Sequence, residues 1–211
     1  AALDPLAIGE DALGESHVAT FPASRRRAGP TAPCAYAGSR LAGWQAVGMG
    51  QRMFVAVVPP APIRDHLAEF LTARPGIRWT DPDQWHITLA FLASVPEHRI
   101  DELAERLAVK AAKRHTFSMS LAGAGAFPDP ARATVLWLGV DPGADGETLP
   151  RLSAAARAAA SATGAPADGK RFTAHLTLAR LRPPTEATRW LRVLDTYRSP
   201  AWSVGSIELV A

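Results

Sequence analysis

The sequence predicts an α+β fold of two lobes related by a pseudo-two-fold, with antiparallel-rich sheets and outer helices around a central cleft. Three observations predict it. From Met53 onward, short apolar runs stopped by Pro or Gly alternate with longer amphipathic stretches. The order of these elements recurs in the second half of the chain, at a period far too long for a solenoid. One strand in each half, "WHITLAFL" (85–92) and "FTAHLTLARL" (172–181), sets a His and a Thr two apart among large apolar residues.

The elements follow in order. "MFVAVVPP" is an apolar run halted by Pro59 and Pro60 and reads as a central strand. "PIRDHLAEFLTA" places Ile63, Leu67, Phe70 and Leu71 on one helical face. After the strand "WHITLAFL", the stretch "PEHRIDELAERLAVKAAKR" reads as a helix, with Pro96 near its start and Lys/Arg at its end, where the helix dipole favours them. "TFSMSLAGAGAF" and "ATVLWLGV" are strands around the turn-rich "PDPAR". The second half supplies the helix "ETLPRLSAAARAAASAT" ended by Gly164, the strand "FTAHLTLARL", the helix "TEATRWLRVLDTY" and a single strand "AWSVGSIELV". The two sequential β/α units are expected to form the two lobes. Residues 1–50 lack either periodicity and are set aside as an extension, disordered or foreign to the fold, leaving 51–211 as the domain.

Composition narrows the class. The chain has 211 residues, 47% of them hydrophobic, enough for a core without staples. Its 23 Lys+Arg against 20 Asp+Glu leave a net charge of +3, too little for wrapping duplex DNA, so an anionic ligand must be held by a local site. Cys34 is the only cysteine, which excludes an intrachain disulfide, and no Cys/His cluster has the spacing of a zinc site. No apolar run reaches the ~18 residues of a membrane span. "RRR" at 25–27 precedes a segment too poorly apolar for an export signal. The expectation is a cytoplasmic monomer with neither metal nor cofactor.

Side chains of a strand alternate between its faces. Alternation sets Trp85, Ile87, Leu89 and Phe91 on one face of the first motif strand, with His86, Thr88, Ala90 and Leu92 opposite. In the second, Phe172, Ala174, Leu176 and Leu178 oppose Thr173, His175, Thr177 and Ala179. Each strand thus packs with one face and presents an imidazole and a hydroxyl on the other, about 7 Å apart. A lone strand histidine is ordinarily a packed residue without chemistry. Two copies at matching places, on otherwise apolar strands, call for a common partner. One imidazole can serve as base and the other as acid near neutrality, and two hydroxyls can donate to non-bridging oxygens. That set suits a phosphodiester. A zinc site would need a third ligand, and none is patterned.

With these motifs the chain resembles the 2H phosphoesterase superfamily, whose signature is two His-hydrophobic-Thr/Ser-hydrophobic motifs on paired strands of a bilobal fold. Within it the chain looks similar to the RNA 2′,3′-cyclic phosphodiesterases, also called 2′-5′ RNA ligase-like proteins. "MFVAVVPP", "WHITLAFL", "AFPDPARATVLWLGV" and "AHLTLARLR" carry the likeness, which runs from Met53 to about Val210. It implies His86 as proton donor to the leaving ribose oxygen, His175 as the base on water, and Thr88, Thr177 and Arg180 on the phosphate. It implies opening of an RNA 2′,3′-cyclic phosphate to a 2′-phosphate without a metal. The partner would be RNA with such an end, or a small cyclic nucleotide. Alternation puts Arg180 on the wrong face, so a bulge or the strand end must redirect it. Phe127 is a candidate for stacking on a nucleobase. Arg132, Lys170, Arg171 and Arg182 are candidates for a basic rim. Trp85, Trp137 and Trp190 read as core, and His17, His66, His98 and His115 as surface. Family members often continue beyond the last strand here, so a truncated C-terminus and an open sheet edge are expected. Ligation of 2′-5′ ends, hydrolysis of other cyclic nucleotides, and a non-catalytic nucleotide- or RNA-binding module stay open as alternatives.

Overall fold

The apolar runs become strands and the amphipathic stretches become helices, as their periods dictate. The computed structural model describes residues 16–20 and 50–211. In chain order these form β1 (Ser16–Thr20), β2 (Gln51–Val57), α1 (Ala61–Thr72), β3 (Ile87–Val95) and α2 (Ile100–Ala111). There follow β4 (Phe117–Phe127), β5 (Ala133–Asp141), α3 (Thr148–Ala162), β6 (His175–Thr185), α4 (Thr188–Leu194), β7 (Trp202–Val204) and β8 (Ser206–Val210). The fold is α+β. Its strands run β1-β8-β2-β3-β6-β5-β4-β7, every neighbouring pair antiparallel.

The sheet is nearly cut in two at its middle. β3 and β6 meet at one residue pair, Ile87 opposite Leu176, and both side chains have 0% exposure. One lobe is β1-β8-β2-β3, covered by α2 and α3; the other is β6-β5-β4-β7 with α4 on β4. The lobes are therefore not the two sequential halves. β4 belongs with the second lobe, whereas α3 crosses back to cover β3 of the first. The predicted single strand "AWSVGSIELV" also divides at Gly205: β7 pairs with β4 in one lobe and β8 with β2 in the other.

The leading segment, expected to stand outside the fold, contributes β1, which pairs with β8 from Ser16 opposite Val210 to Thr20 opposite Ser206. Ala19 is buried there. With β1 on one side and β2 on the other, β8 has no open edge. Residues 1–15 and 21–49 lie outside the described residues.

Both motif strands carry an extra residue at the same place. Val55 faces Ala90 and Ala56 faces Thr88, so β3 spends two steps on one step of β2, with Leu89 inserted. Leu136 faces Ala179 and Trp137 faces Thr177, so Leu178 is inserted in β6. These are β-bulges, which flip the side-chain alternation beyond them. Neither inserted carbonyl is left unpaired: the buried Ser153 hydroxyl of α3 donates to Leu89 O at 2.6 Å, and the Thr80 amide donates to Leu178 O at 2.7 Å. Ser153→Ala leaves the Leu89 carbonyl buried without its donor and is expected to cost about 1–3 kcal/mol, read as a lowered denaturant midpoint at unchanged slope.

Candidate active site

Antiparallel pairing of Ile87 with Leu176 fixes the neighbours of both. His86 falls across from Thr177, and Thr88 across from His175, on the face opposite the buried Ile87 and Leu176. The two imidazoles are then diagonal neighbours, with Cβ atoms about 7–8 Å apart or less. His86, Thr88, His175 and Thr177 are all half-buried, as side chains on a cleft floor are. The motifs meet at the single point where the lobes are joined. β3 and β6 overlap only there, at the first residues of each strand, and run from the joint in opposite directions.

Each ring is held in the same way. His86 Nδ1 lies 2.7 Å from Gln84 O, and His175 Nδ1 lies 2.7 Å from Thr173 O. A carbonyl only accepts, so Nδ1–H donates in both, and the neutral ring keeps its lone pair on Nε2. These carbonyls lie two residues before the histidines and outside the strands: Gln84 ends the short 3-10 turn Pro82–Gln84, Thr173 precedes β6, and His86 itself precedes β3 while His175 is the first residue of β6. The predicted strands begin too early, for Trp85 and 172–174 lie before the first residues of β3 and β6.

The bulge settles the conflict over Arg180. On β5, Gly139, Trp137 and Val135 share one face, and they stand opposite His175, Thr177 and Arg180 respectively. Arg180 thus joins the histidine and threonine. Its charge reaches both rings: burial first, then Arg180 among lesser causes, holds His86 and His175 below the ordinary imidazole value, against the pull of their carbonyl partners. His175 adds to the effect on His86. Burial and the neighbouring Arg182 in turn lower Arg180.

The same bulge corrects Phe91. It stands opposite Phe54, whose ring stacks on His86 with centroids 4.5 Å apart and planes at 25°. Phe91 therefore lies on the cleft face and not with Ile87 and Leu89 in the core. Trp137 is a second correction. Predicted as core, it is half-buried on the cleft face, 5.8 Å from the His175 ring, and its Nε1 has no hydrogen-bond partner among the described residues. Its cross-strand neighbour is Gly125, where any Cβ would overlap the indole, so the missing side chain is what lets the ring lie there. Phe127 stands 5.1 Å from His175, nearly edge-on at 85°. Trp85 is in the core as expected. Trp190 is half-buried, edge-on to Trp79.

Arg132, Lys170, Arg171 and Arg182 are exposed. So are His66, His98 and His115, while His17 on β1 is half-buried. His66 does more than face solvent: its Nδ1 lies 2.9 Å from the hydroxyl of Tyr197, a phenol that burial pushes up to about 12. No helix among the described residues is long and apolar enough to cross a membrane. No group of three or more His, Cys, Asp and Glu among them is placed to hold a metal ion.

A split antiparallel sheet with one His-x-Thr motif on either side of the joint defines a two-histidine phosphoesterase fold. Residues 57–137 match the family model "LigT like Phosphoesterase". The chain is 35% identical over 134 residues to an RNA 2′,3′-cyclic phosphodiesterase of Archaeoglobus fulgidus, covering 62% of this chain and 73% of that one. It is 34% identical over 149 residues to the Aeropyrum pernix enzyme of the same name, covering 71% and 80%. Among solved structures, apo LigT of E. coli superposes with a TM-score of 0.59 at 25% identity, over 77% of this chain and 87% of that one. A Thermus thermophilus structure superposes at 0.54 and 28% identity, over 76% and 84%. The chain belongs to the RNA 2′,3′-cyclic phosphodiesterase family of LigT-like phosphoesterases.

Proposed function

We propose that the chain hydrolyses the 2′,3′-cyclic phosphate at an RNA end to a 2′-phosphate, with His175 as base and His86 as acid. The observation that carries this reading is the Ile87–Leu176 pair, which brings both motifs to one spot. The names of the A. fulgidus and A. pernix relatives support the substrate.

The chemistry uses the free Nε2 of each ring. Neutral His175 takes a proton from water through Nε2 while the water oxygen attacks phosphorus. The P–O3′ bond breaks as the oxygen receives the Nε2 proton of His86. Water has then been added across the ester, leaving a 2′-phosphomonoester and a free 3′-hydroxyl, with His175 now charged and His86 neutral. A proton exchange with solvent resets the pair. Thr88 and Thr177 donate their hydroxyl protons to the non-bridging oxygens, and Arg180 meets the charge that grows there. Phe127 offers a ring edge-on to His175 to a base of the RNA chain.

Both rings are lowered by burial and by Arg180, so the free protein holds them mostly neutral at pH 7. A bound phosphodiester anion restores the charge that His86 needs. The acid form is thereby favoured when substrate is present.

The test is product analysis. An oligonucleotide ending in 2′,3′-cyclic phosphate, incubated with the chain, is expected to yield a 2′-phosphate end, resolved from the 3′-isomer by nuclease digestion and chromatography. A 3′-phosphate product would reverse the assignment of the leaving oxygen. Joined 2′-5′ ends would mark ligation, and binding without turnover between pH 5 and 9 would mark a non-catalytic module.

A further inference from the structure

The two histidines of the site are held almost identically. Each opens the same H-x-T-L-A-x-L run, with the bulge on the same leucine. Each donates Nδ1–H to the carbonyl two residues before it at 2.7 Å, and burial, then Arg180 among lesser causes, holds both below the ordinary imidazole value. None of these chooses which ring carries a proton. The aromatic rings against them differ. Phe54 on β2 stands opposite Phe91, whereas on β5 the residue opposite the matching Arg180 is Val135. The pseudo-two-fold thus sets a phenyl ring in the first lobe where the second has an aliphatic side chain. That ring lies flat against His86, with centroids 4.5 Å apart and planes at 25°. Neither ring beside His175 lies flat against it: Phe127 meets it at 85° and Trp137 at 58°.

We propose, resting on the acid and base roles assigned to the two histidines, that the face of Phe54 stabilises the charged form of His86 and so makes it the ring that carries the proton when the pair holds one. The electron-rich face of a phenyl ring attracts a cation that lies over it within about 6 Å of its centroid, and holds a neutral imidazole less strongly. The attraction therefore grows as His86 takes its proton. Phe54 is a positioning residue: it acts through His86, by deciding which of two similar rings is loaded. The other charges around His86 do not make that choice. Arg180 and His175 on β6 both disfavour a charge on it. Asp81 and Asp83, in the turn before it, are exposed, and Asp83 is paired with Arg64 of α1 at 3.0 Å. Asp168, whose amide meets Phe91 O, is paired with Arg157 at 3.6 Å. Arg52 on β2 is exposed, and Glu208 on β8 is set apart from Thr88 by Ala56 of the intervening strand.

The proton equilibria are read directly, by NMR titration of the His86 and His175 rings in the whole, isotope-labelled chain. Phe54→Leu keeps apolar bulk without the face, and Phe54→pentafluoro-Phe keeps the ring's shape while inverting the charge of the face. Each is expected to lower the His86 midpoint by about half a pH unit, roughly a two- to fivefold shift in its proton equilibrium, and not to lower that of His175. Phe54→Tyr keeps the face and should restore the wild-type midpoint. The fluorinated chain is read alone if the leucine variant does not fold. In the rates, kcat/KM for an RNA 2′,3′-cyclic phosphate should fall by about the same factor on the alkaline limb of its pH profile, where His86 must hold its proton, and stay unchanged on the acidic limb, where His175 must lose one. A merely structural role for Phe54 would lower both limbs alike and leave both midpoints in place. An unchanged or raised His86 midpoint in the fluorinated chain, or an equal fall for both histidines, would overturn the proposal. A lowered His86 midpoint with an unchanged alkaline limb would overturn its link to catalysis. Failure of the proposed hydrolysis shows separately, as a wild-type chain that opens no cyclic phosphate, because the titration needs no turnover.

Discussion

Replacing His175 with alanine is expected to lower turnover of a 2′,3′-cyclic phosphate by about 10²–10⁴-fold, and replacing His86 to do the same, because in the proposed mechanism each removes one proton transfer from the transition state. The loss should appear in kcat and leave KM close to its wild-type value, since in the proposed site the threonines and Arg180 still hold the anion. Both rings are half-buried on the cleft face, while the core beneath them is made by Ile87 and Leu176, so near-wild-type melting curves should accompany the loss. The double variant should be scarcely worse than either single one, because acid and base act in one step and are not additive. Steady-state rates beside circular dichroism check this. A single variant within threefold of wild type would mean that the ring it lost moves no proton.

The polar half of the site was legible because two strands broke the same rule in the same way. An imidazole and a hydroxyl on an otherwise apolar strand need partners, and alternation alone put them on one face. Arg180 and Phe91 were illegible to alternation, since a bulge adds one residue and inverts everything after it. A signal existed. Alternation sent an arginine into the core of one copy, which a charge without a partner does not tolerate, and the copies share Thr-Leu-Ala before it. Whatever re-aimed Arg180 had to re-aim Phe91 as well. Trp137 was read as core because the space beside it belongs to Gly125, a partner on another strand at a distance that no local pattern reports. The lobes were misdrawn for a similar reason. Periodicity identifies α3 and β4 but not the sheet half each joins, which depends on pairings far apart in the chain.

Arg180→Ala is expected to lower kcat/KM by about 10²–10³-fold, the range for removing one donor aimed at developing negative charge. A second effect runs the other way. Arg180 stands near both imidazoles, and its positive charge disfavours a second positive charge on either. In the proposed mechanism the active free protein has His86 charged and His175 neutral, so kcat/KM is expected to follow a bell set by the two macroscopic steps of the pair. With both values held below the ordinary 6.5, the wild-type bell is centred below pH 6.5. Removing Arg180 lets both values rise, and the bell moves toward higher pH as the rate falls. Burial, the larger cause, remains, so the centre should still lie under 6.5. Arg180→Lys keeps the charge and loses the fork, so it should retain the wild-type bell with a smaller rate loss. A merely structural role would reduce the rate of both variants and leave the bell where it was, and that pattern across pH 4–9 would remove Arg180 from the phosphate.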